Sequence, residues 1–560
     1  MREDSRIARL CLAVAAAALT GGGIAAPNPD DALWEGVSYY SSFDTTANGI
    51  AAERGEGAFN TTAGGGSPAF IRVVGASQAL DLATYNGWNS GNQTVLAAED
   101  EAFTLVFRAK TGSTANGILF AFGTTSTGGL AFRRDSAEDN EDAAGTLAVT
   151  TGTNSERIVY APPANNGNRN GAYNTFALTY DAGAEAPLTL WALRDGAMAA
   201  VGTGTVEGTL ISGHFQWRSR HGGDCSGEAH GNGALDALGI WKRVLSEEEL
   251  TQVATAMIPA PVAVAFDDVP EGWGEAPKQA IPVLADRPVN LERDPAARQT
   301  LGGRAANVAV VEGSADAFDI HGIDGSGYGD GSTLERDVWL KVTGGTHGDV
   351  VGGKDNHWQN RHANTVNGNL LTELAGTAVA DNAVGGLMGC STGGIDGFTD
   401  GLPLTGDTLL TIAEGARVRG NIVGGDVVCH GRGFTHTGNA TVRIRALQDI
   451  SDASVKLNDY LSGLHVVGGL AGGDKASRDG DYTVTLTGSS AVEVVLPDDA
   501  GGVFDKEIMG GSYNSRDNGA NYTYVTEGDA SVVIDAPAAV TFPRMVCAGS
   551  RGANATVRGA

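Results

Sequence analysis

The sequence predicts an all-β protein in which an N-terminal jelly-roll β-sandwich precedes a repeat-built right-handed β-solenoid. Two observations predict this fold class. Short segments of alternating apolar and polar residues, separated by turn residues, occur throughout residues 27–257. Within residues 301–560, an apolar pair followed by two glycines recurs about every 40 residues, a spacing typical of arrays of small stacked units.

Composition narrows the class of protein. At 560 residues the chain is too long for one hydrophobic core and should contain several domains. Glycine accounts for 82 residues and aromatic residues for only 6%, which favours tightly stacked β-structure over helix bundles. The net charge of −28 argues against nucleic acid and anionic membrane surfaces as partners. The cysteines are scattered singly, which indicates neither a zinc ribbon nor a disulfide framework.

The first 26 residues have the features of a signal peptide. Three arginines precede a short apolar stretch at residues 10–19, and mostly small residues follow at 20–26. The alternative is an apolar helix of the first domain. No later stretch has the apolar length needed to cross a bilayer. The sequence therefore predicts a secreted or cell-surface chain with no transmembrane segment after removal of residues 1–26.

Residues 27–257 form the predicted sandwich. The alternation is clearest in four segments, at 102–109, 117–122, 175–180 and 187–193. One helix is also predicted, because Ser246 followed by Glu249 is the pattern of a capping box ahead of Leu250 and Val253.

A set of segments occurs in a fixed order along this region. It consists of Phe43-Asp44, residues 78–82, the strand at Phe103, residues 191–196, and a closing segment at 233–250. The closing segment contains an acidic residue, an aromatic residue, a basic pair and then Leu-Ser-x-x-Glu-Leu. In this order the segments resemble the laminin G-like, concanavalin A-like jelly rolls of secreted bacterial proteins. That family usually has two adjacent acids before the aromatic residue, whereas this chain has Asp236-Ala237.

The only cofactor predicted is a structural calcium ion. The resemblance implies a calcium site that Asp44 and Asp236 share, since hard cations take carboxylate oxygens. A turn or edge role for both residues is the alternative. A second candidate is the loop 324–335, in which Asp324, Asp330 and Glu335 fall at positions 1, 7 and 12 of a partial EF-hand pattern. A glycine-rich turn is the alternative there.

Glycan binding by the sandwich would need an aromatic platform with polar side chains beside it. Loop-like stretches supply such candidates, namely Trp88, Asn89, Trp217, Arg218, Arg220 and His221. The alternative is that the tryptophans pack in the core.

Residues 258–300 contain seven prolines and little periodicity, which predicts a linker. The repeats follow in residues 301–560, with glycine pairs at 352–353, 385–386, 424–425, 468–469 and 510–511 and a degenerate copy at 545–549. Glycine weakens a strand interior, so a recurring pair indicates close approach of stacked backbones. This region resembles the Gly-Gly repeats of bacterial adhesins and autotransporter passengers.

A polar loop bearing arginine follows most of the glycine pairs, at Arg361, Arg432, Arg478 and Arg516. Stacking would align these loops as a multivalent binding strip, and a ladder of solvated turns is the alternative. The sequence therefore predicts a bacterial adhesion or glycan-binding protein without catalytic activity, whose partner is a glycan or a protein on a host or neighbouring cell. Two alternatives stay open: a polysaccharide-degrading enzyme with acids clustered in a solenoid cleft, and a purely structural stalk.

Overall fold

The computed structural model describes residues 32–44, 52–56, 70–74, 77–81, 102–111, 117–124, 128–134, 147–151, 156–160, 173–194, 196–205, 215–217, 233–266, 269–285, 289–313, 317–323, 332–354, 365–389, 404–413, 415–419, 421–428, 434–445, 460–467, 482–500, 502–503, 507–514, 522–542, 546–548 and 555–558. Over these residues the protein is all-β, with six sheets and one α-helix. The predicted signal peptide, residues 1–26, lies outside them. Among the described helices, none has the length and apolar character to cross a membrane.

Thirteen strands precede the helix: β1 (Val37–Ser41), β2 (Phe70–Val74), β3 (Ser77–Asp81), β4 (Ala102–Thr111), β5 (Gly117–Thr124), β6 (Gly128–Arg134), β7 (Leu147–Thr151), β8 (Glu156–Tyr160), β9 (Asn174–Asp181), β10 (Leu188–Arg194), β11 (Ala197–Gly204), β12 (Phe215–Trp217) and β13 (Gly233–Trp241). An eight-stranded sheet has the order β11-β10-β9-β4-β13-β3-β2, with β1 also paired to β13. A five-stranded sheet has the order β12-β5-β6-β7-β8. All pairs in both sheets are antiparallel.

The two sheets share a core. Ile158 of the five-stranded sheet packs in one cluster with Leu105, Phe107 and Leu178 of the eight-stranded sheet. Side chains alternate along β4, so that Val106 lies on the opposite, outer face and packs against the helix instead. This arrangement is a β-sandwich, and its jelly-roll connectivity stays a prediction.

Helix α1 (Glu247–Ala256) covers part of the outer face of the eight-stranded sheet, burying Leu250 and Val253. The predicted capping box is confirmed. Ser246 Oγ accepts from the Glu249 backbone N–H, and the Glu249 carboxylate accepts from the Ser246 N–H at 2.8 Å. Arg243 adds an ion pair with Glu249 at 2.7 Å. The hydrogen bond from Arg243 is the main cause of the lowered pKa of Glu249.

Thirty further strands follow α1: β14 (Val262–Ala263), β15 (Gln279–Ala285), β16 (Val289–Asn290), β17 (Arg298–Leu301), β18 (Arg304–Gly313), β19 (Phe318–Ile323), β20 (Thr333–Glu335), β21 (Asp337–Gly344), β22 (Thr346–Lys354), β23 (Thr365–Asn367), β24 (Leu370–Leu374), β25 (Val379–Val384), β26 (Met388–Gly389), β27 (Leu404–Thr405), β28 (Thr408–Ile412), β29 (Arg417–Val418), β30 (Asn421–Val423), β31 (Val427–Val428), β32 (Phe434–Thr437), β33 (Ala440–Ile444), β34 (Tyr460–Val467), β35 (Tyr482–Leu486), β36 (Ser490–Val495), β37 (Gly502–Val503), β38 (Glu507–Asn514), β39 (Tyr522–Thr526), β40 (Ala530–Asp535), β41 (Val540–Thr541), β42 (Val546–Cys547) and β43 (Ala555–Val557). Short 3-10 helices lie at Ala32–Trp34, Leu291–Arg293 and Pro295–Ala297.

Most of these strands form three parallel ladders. Ladder 1 is β15-β18-β21-β24-β28-β33-β36-β40, ladder 2 is β16-β19-β22-β25-β30-β34-β38-β42, and ladder 3 is β20-β23-β27-β32-β35-β39-β43. The chain visits ladders 1, 2 and 3 in turn, as in β21, β22 and β23, and then returns to ladder 1 at β24. We call one such pass a rung and the three ladders together the stack.

A constant register places equivalent residues of the rungs in columns. In ladder 1, Val342 pairs with Leu374, Leu374 with Ile412, and Ile412 with Ile444. All four side chains belong to one buried apolar cluster, which runs through the stack. A rung cannot bury these side chains alone, so each depends on its neighbours for its core.

The glycine pairs among the described residues lie in ladder-2 strands or directly after them, where neighbouring backbones approach closely. A Cβ atom at Gly352 would lie 2.5 Å from the carbonyl oxygen of Gly385, and one at Gly385 would lie 2.4 Å from that of Gly424. One of the predicted copies of the repeat, that at 466–469, is wrong. The column of Ile422 and Val423 continues through Leu461 and Ser462 rather than through Val466 and Val467, because five further residues of β34 precede the glycine pair at 468–469.

A second repeat, which the sequence analysis missed, forms a corner between ladder 3 and ladder 1. In it a side-chain oxygen of one rung accepts a hydrogen bond from the backbone N–H of the equivalent residue in the next rung, at 2.8 to 3.1 Å. We call it the corner ladder, and it consists of Asp337, Asn369, Asp407, Asn439, Ser489 and Asp529.

Residues 258–300, predicted as a linker, contribute the first strands of ladders 1 and 2 and cover one face of ladder 1. Phe266 and Trp273 make edge-on ring contacts with Trp339, at centroid distances of 5.5 and 6.2 Å. The same apolar cluster contains Leu371 and Leu409 of the next two rungs. This segment therefore packs on the stack over three successive rungs.

Candidate functional site

Most of the predicted ligand-binding residues lie outside the described residues: Trp88, Asn89, Arg218, Arg220, His221, Arg361, Arg432, Arg478 and Arg516, together with Asp324 and Asp330 of the second calcium candidate. Trp217 ends β12, and its backbone pairs with Phe120 of β5. Glu335 ends β20, and its carboxylate accepts a 2.7 Å hydrogen bond from the Asn367 side chain of the next ladder-3 strand. A calcium ion at Asp324, Asp330 and Glu335 stays a prediction.

The four arginines of the predicted binding strip share one place in the chain order. Each falls in a connection that leads to a ladder-3 strand, either from a ladder-2 strand or, for Arg432, from β31, which pairs with β34 of ladder 2. Arg361 lies between β22 and β23, Arg432 between β31 and β32, Arg478 between β34 and β35, and Arg516 between β38 and β39. The strands on both sides of these connections are stacked in parallel.

The first calcium candidate, Asp44 with Asp236, has a different environment from the one the resemblance implies. Asp236 is 3% exposed, and its carboxylate forms an ion pair with the equally buried Arg108. Asp44 is exposed, and its Oδ1 accepts a 2.8 Å hydrogen bond from the Gln78 backbone N–H. Burial raises the pKa of Asp236 to about 6 against the attraction of Arg108, and the charge of Asp44 adds to this rise. The two acids are therefore close enough to interact.

These residues do not fit a calcium ion shared by Asp44 and Asp236. A calcium ion takes six to eight oxygens. The Asp236 carboxylate instead meets a guanidinium group, which already supplies the compensating positive charge. Among the described residues, the other carboxylate oxygen of Asp236 is buried with no hydrogen-bond partner, but no group of three or more His, Cys, Asp or Glu side chains surrounds it.

Arg108 belongs to a buried cluster at the junction of the sandwich and the stack. The Tyr173 ring lies over both cations, 4.7 Å from Arg108 Cζ and 5.3 Å from Lys110 Nζ. Asp294, in the segment that leads into β17, is 6% exposed, and both Arg108 and Arg298 attract its charge. We call Arg108, Lys110, Tyr173, Asp236 and Asp294 the junction cluster.

Three acids that the sequence analysis missed lie on neighbouring strands of ladder 2. They are Asp319 in β19, Asp349 in β22 and Asp381 in β25. Asp319 Oδ1 accepts from the Asp349 backbone N–H at 2.8 Å, and Asp349 Oδ1 accepts from Asn382 Nδ2 at 2.7 Å. A constant offset could have revealed part of this row, since Asp349 and Asn382 each stand three residues before the first glycine of a pair.

The Asp349 carboxyl is the most perturbed of the three. Its pKa is raised to about 6, mainly because it is buried, while the hydrogen bond from Asn382 opposes the rise and the charges of Asp319 and Asp381 add to it. Asp381 is more exposed and forms an ion pair with Arg419 at 3.4 Å. A carboxyl with a raised pKa beside other carboxylates can hold a proton near neutral pH and donate it.

We expect the Asp349→Asn variant to flatten the pH dependence of stability. The folded-state pKa of Asp349, about 6, exceeds its ordinary value of 3.8. The folded protein therefore binds more protons than the unfolded chain between these values, and the free energy of unfolding falls as the pH rises through this window. The contribution of this group is about 3 kcal/mol. Urea unfolding at about pH 4 and about pH 7 measures the difference. Asp381→Asn is the matched control, and equal slopes for wild type and Asp349→Asn would refute the assignment.

Asp426, an acid that follows a glycine pair, is a core residue rather than part of a site. It is 1% exposed, and its Oδ1 accepts from the Leu387 N–H at 2.5 Å. Its other oxygen lies 3.5 Å from Nδ1 of the fully buried His436, whose Nε2 donates to the Gly406 carbonyl at 2.9 Å. Burial raises the pKa of Asp426. Both side chains therefore lie in the interior of the stack.

No family model matches the sequence, and neither does any curated protein. Among solved structures, domain 4 of AbnA, a GH43 extracellular arabinanase from Geobacillus stearothermophilus in complex with arabinotriose, is 13% identical, with a TM-score of 0.25 over 39% of this chain and 98% of that domain. The CBM40 of the Ruminococcus gnavus IT-sialidase, bound to α2,3-sialyllactose, is 18% identical, with a TM-score of 0.21 over 28% of this chain and 82% of that one. The binding domain of botulinum neurotoxin serotype C1 is 11% identical, with a TM-score of 0.22, and this chain spans 38% of its length. Scores this low establish neither a shared fold nor a shared function.

Proposed function

We propose that this chain is a secreted or cell-surface bacterial protein that binds a glycan or a surface protein without catalysing a reaction. In this proposal the sandwich is a jelly-roll ligand-binding module. The stack is a right-handed β-solenoid that carries repeated polar loops along one corner. The ligand is extended, because a repeated surface contacts repeated units of a polymer best.

One observation carries the proposal. The connections that contain Arg361, Arg432, Arg478 and Arg516 all join the sheet of ladder 2 to ladder 3, and the strands at both ends are paired in parallel with those of neighbouring rungs. In the proposal, connections between the same two sides of the stack cross one corner, where their arginines would meet one ligand together. Arginine binds carboxylate and sulfate groups with two parallel hydrogen bonds, which favours an acidic glycan.

The sandwich contributes a second surface. The outer face of its eight-stranded sheet packs against α1 and, through the junction cluster, against the start of the stack. We therefore place a glycan site of the sandwich on the side of the five-stranded sheet. This side is the one turned away from the junction.

The test is a glycan array probed with the full chain, followed by affinity measurements on two paired variants. We expect Arg361→Gln/Arg432→Gln to weaken binding of an acidic glycan about tenfold, because two of the repeated contacts are lost. Arg419→Gln/Arg558→Gln is the matched control. It also removes two arginines of the stack, each with a 62% exposed side chain, but neither lies in a connection of the proposed binding strip. Equal losses in both pairs, or no glycan bound by the wild type, would refute the proposal.

Polysaccharide cleavage is a second candidate function, and the raised pKa of Asp349 beside Asp319 and Asp381 is the observation that favours it. Glycosidic cleavage uses a protonated carboxyl together with a second carboxylate. Incubation of the full chain with acidic and neutral polysaccharides, followed by an assay for new chain ends, tests this function. Cleavage by the wild type that is absent in Asp349→Asn would replace the binding proposal.

A further inference from the structure

We propose that Arg108 is a built-in cation which takes the place of the calcium ion implied by the laminin G-like resemblance and joins the sandwich to the stack. The resemblance places a calcium ion at Asp44 and Asp236. In this chain the positive charge beside Asp236 belongs to a side chain of the neighbouring strand.

The backbone explains why Arg108 reaches Asp236. Strand β13 has an irregularity opposite β4, where Leu235 pairs with Ala109 and Ala237 pairs with Arg108. Asp236 is the extra residue between these two pairs, as in a β-bulge, and a bulge redirects a side chain. Arg108 lies two residues beyond Val106, on the outer face of the sheet. Both charged side chains are therefore on the side that faces the stack.

Because Arg108 and Asp236 are both buried, the arginine and a calcium ion cannot both contact the Asp236 carboxylate. The Arg108 and Asp236 side chains are each 4% exposed, and the Tyr173 ring covers the guanidinium. A calcium ion in contact with Asp236 would lie beside this guanidinium in a region of low dielectric constant, where the repulsion of like charges is strong. Displacement of the arginine would instead leave a buried cation without its partner.

The same guanidinium also acts on the stack. Asp294 lies between the two 3-10 helices that follow the first strands of ladders 1 and 2, and Arg108 and Arg298 both attract its charge. Nearby, Arg72 of β2 forms a more exposed ion pair with Glu312 of β18. Arg108 thus compensates the acid of the sandwich through an ion pair, and together with Arg298 it attracts the acid of the stack.

Thermal unfolding of the full chain, in excess EDTA and in millimolar calcium chloride, tests the first part of the proposal. We expect the same midpoint in both conditions. If calcium raises the midpoint, the Asp44→Asn variant decides the outcome. A rise that persists in this variant comes from an ion elsewhere and supports the proposal, whereas a rise that disappears overturns it.

A double-mutant cycle tests the role of the charge. We expect Arg108→Gln to lower the midpoint by roughly 5 °C, because it leaves the buried Asp236 without its cation and Asp294 with the attraction of Arg298 alone. Arg108→Gln/Asp236→Asn, in which both charges are replaced by neutral side chains of similar shape, should be more stable than Arg108→Gln alone. The same comparison with Asp294→Asn tests the contact with the stack. Losses that simply add would overturn the corresponding part of the proposal, and the double variants keep the test valid if Arg108→Gln alone does not fold.

Discussion

Replacement of Gly406 by alanine is expected to lower the thermal unfolding midpoint by roughly 10–15 °C, equivalent to about 5 kcal/mol. Gly406 precedes Asp407 of the corner ladder and has a φ of +137°. A Cβ atom there would lie 2.1 Å from the carbonyl oxygen of Gly368 in the preceding rung. That distance is far below van der Waals contact, so two rungs would have to separate at the point where they exchange hydrogen bonds.

A control separates the close approach from the backbone conformation. Gly303 also has a positive φ, +86°, but a Cβ atom there would meet no atom within 4 Å. Gly303→Ala should therefore cost only about 1 kcal/mol, the ordinary penalty of the left-handed region. Calorimetry of both variants gives the comparison. Similar midpoints for the two variants would show that the rungs are free to move apart at this corner.

The corner ladder shows which part of the fold the sequence could reveal. The repeat length and the glycine pairs are visible in the sequence because close backbone approach excludes every other residue. The corner residues alternate among Asp, Asn and Ser, and their spacing varies from rung to rung. Their common role is to accept a hydrogen bond from the next rung, which becomes visible only when the register is known.

The capping box and the junction cluster show that sequence patterns reveal contacts between residues close in the chain and miss contacts between distant ones. The capping box could be predicted because Ser246 and Glu249 interact within one helical turn, so their spacing alone defines the contact. Arg108 and Asp294 are far apart in the chain, and no local pattern indicates that the sandwich docks on the first rungs. For the same reason the resemblance gave the positions of Asp44 and Asp236 but not the arginine beside Asp236.

The acids on neighbouring strands of ladder 2 could be predicted from the sequence only in part. Asp349 and Asn382 keep a constant offset from their glycine pairs, which the register of ladder 2 explains, because both stand immediately before the aligned pairs that begin at Val350 and Ala383. Asp319 precedes Ile320, which pairs with Val350, but no glycine pair marks its rung. One of the charges that raise the pKa of Asp349, that of Asp319, therefore lies outside the repeat pattern, while the main cause is burial.

Glu292→Ala is expected to cost about 4 kcal/mol, a decrease of roughly 10 °C in the unfolding midpoint, because it breaks a buried charge network. Glu292 is 1% exposed at the start of the stack. Its carboxylate lies 3.3 Å from Arg336 Nε and 3.5 Å from Arg298 NH2, and it accepts a 2.8 Å hydrogen bond from Asn307. The variant leaves two arginines, 17% and 15% exposed, without this anion.

Glu292→Gln separates the charge from the packing, since glutamine keeps the shape and an acceptor for Asn307 but not the negative charge. We expect most of the loss to persist in Glu292→Gln, because Arg336 and Arg298 lose the charge of Glu292 in both variants. Glu312→Gln, on a 40% exposed carboxylate at the same end of the stack, is the control for a surface charge. A Glu292→Gln midpoint equal to that of wild type would show that solvent, rather than Glu292, compensates Arg298 and Arg336. The first rungs would then be far more open to water than their packing indicates.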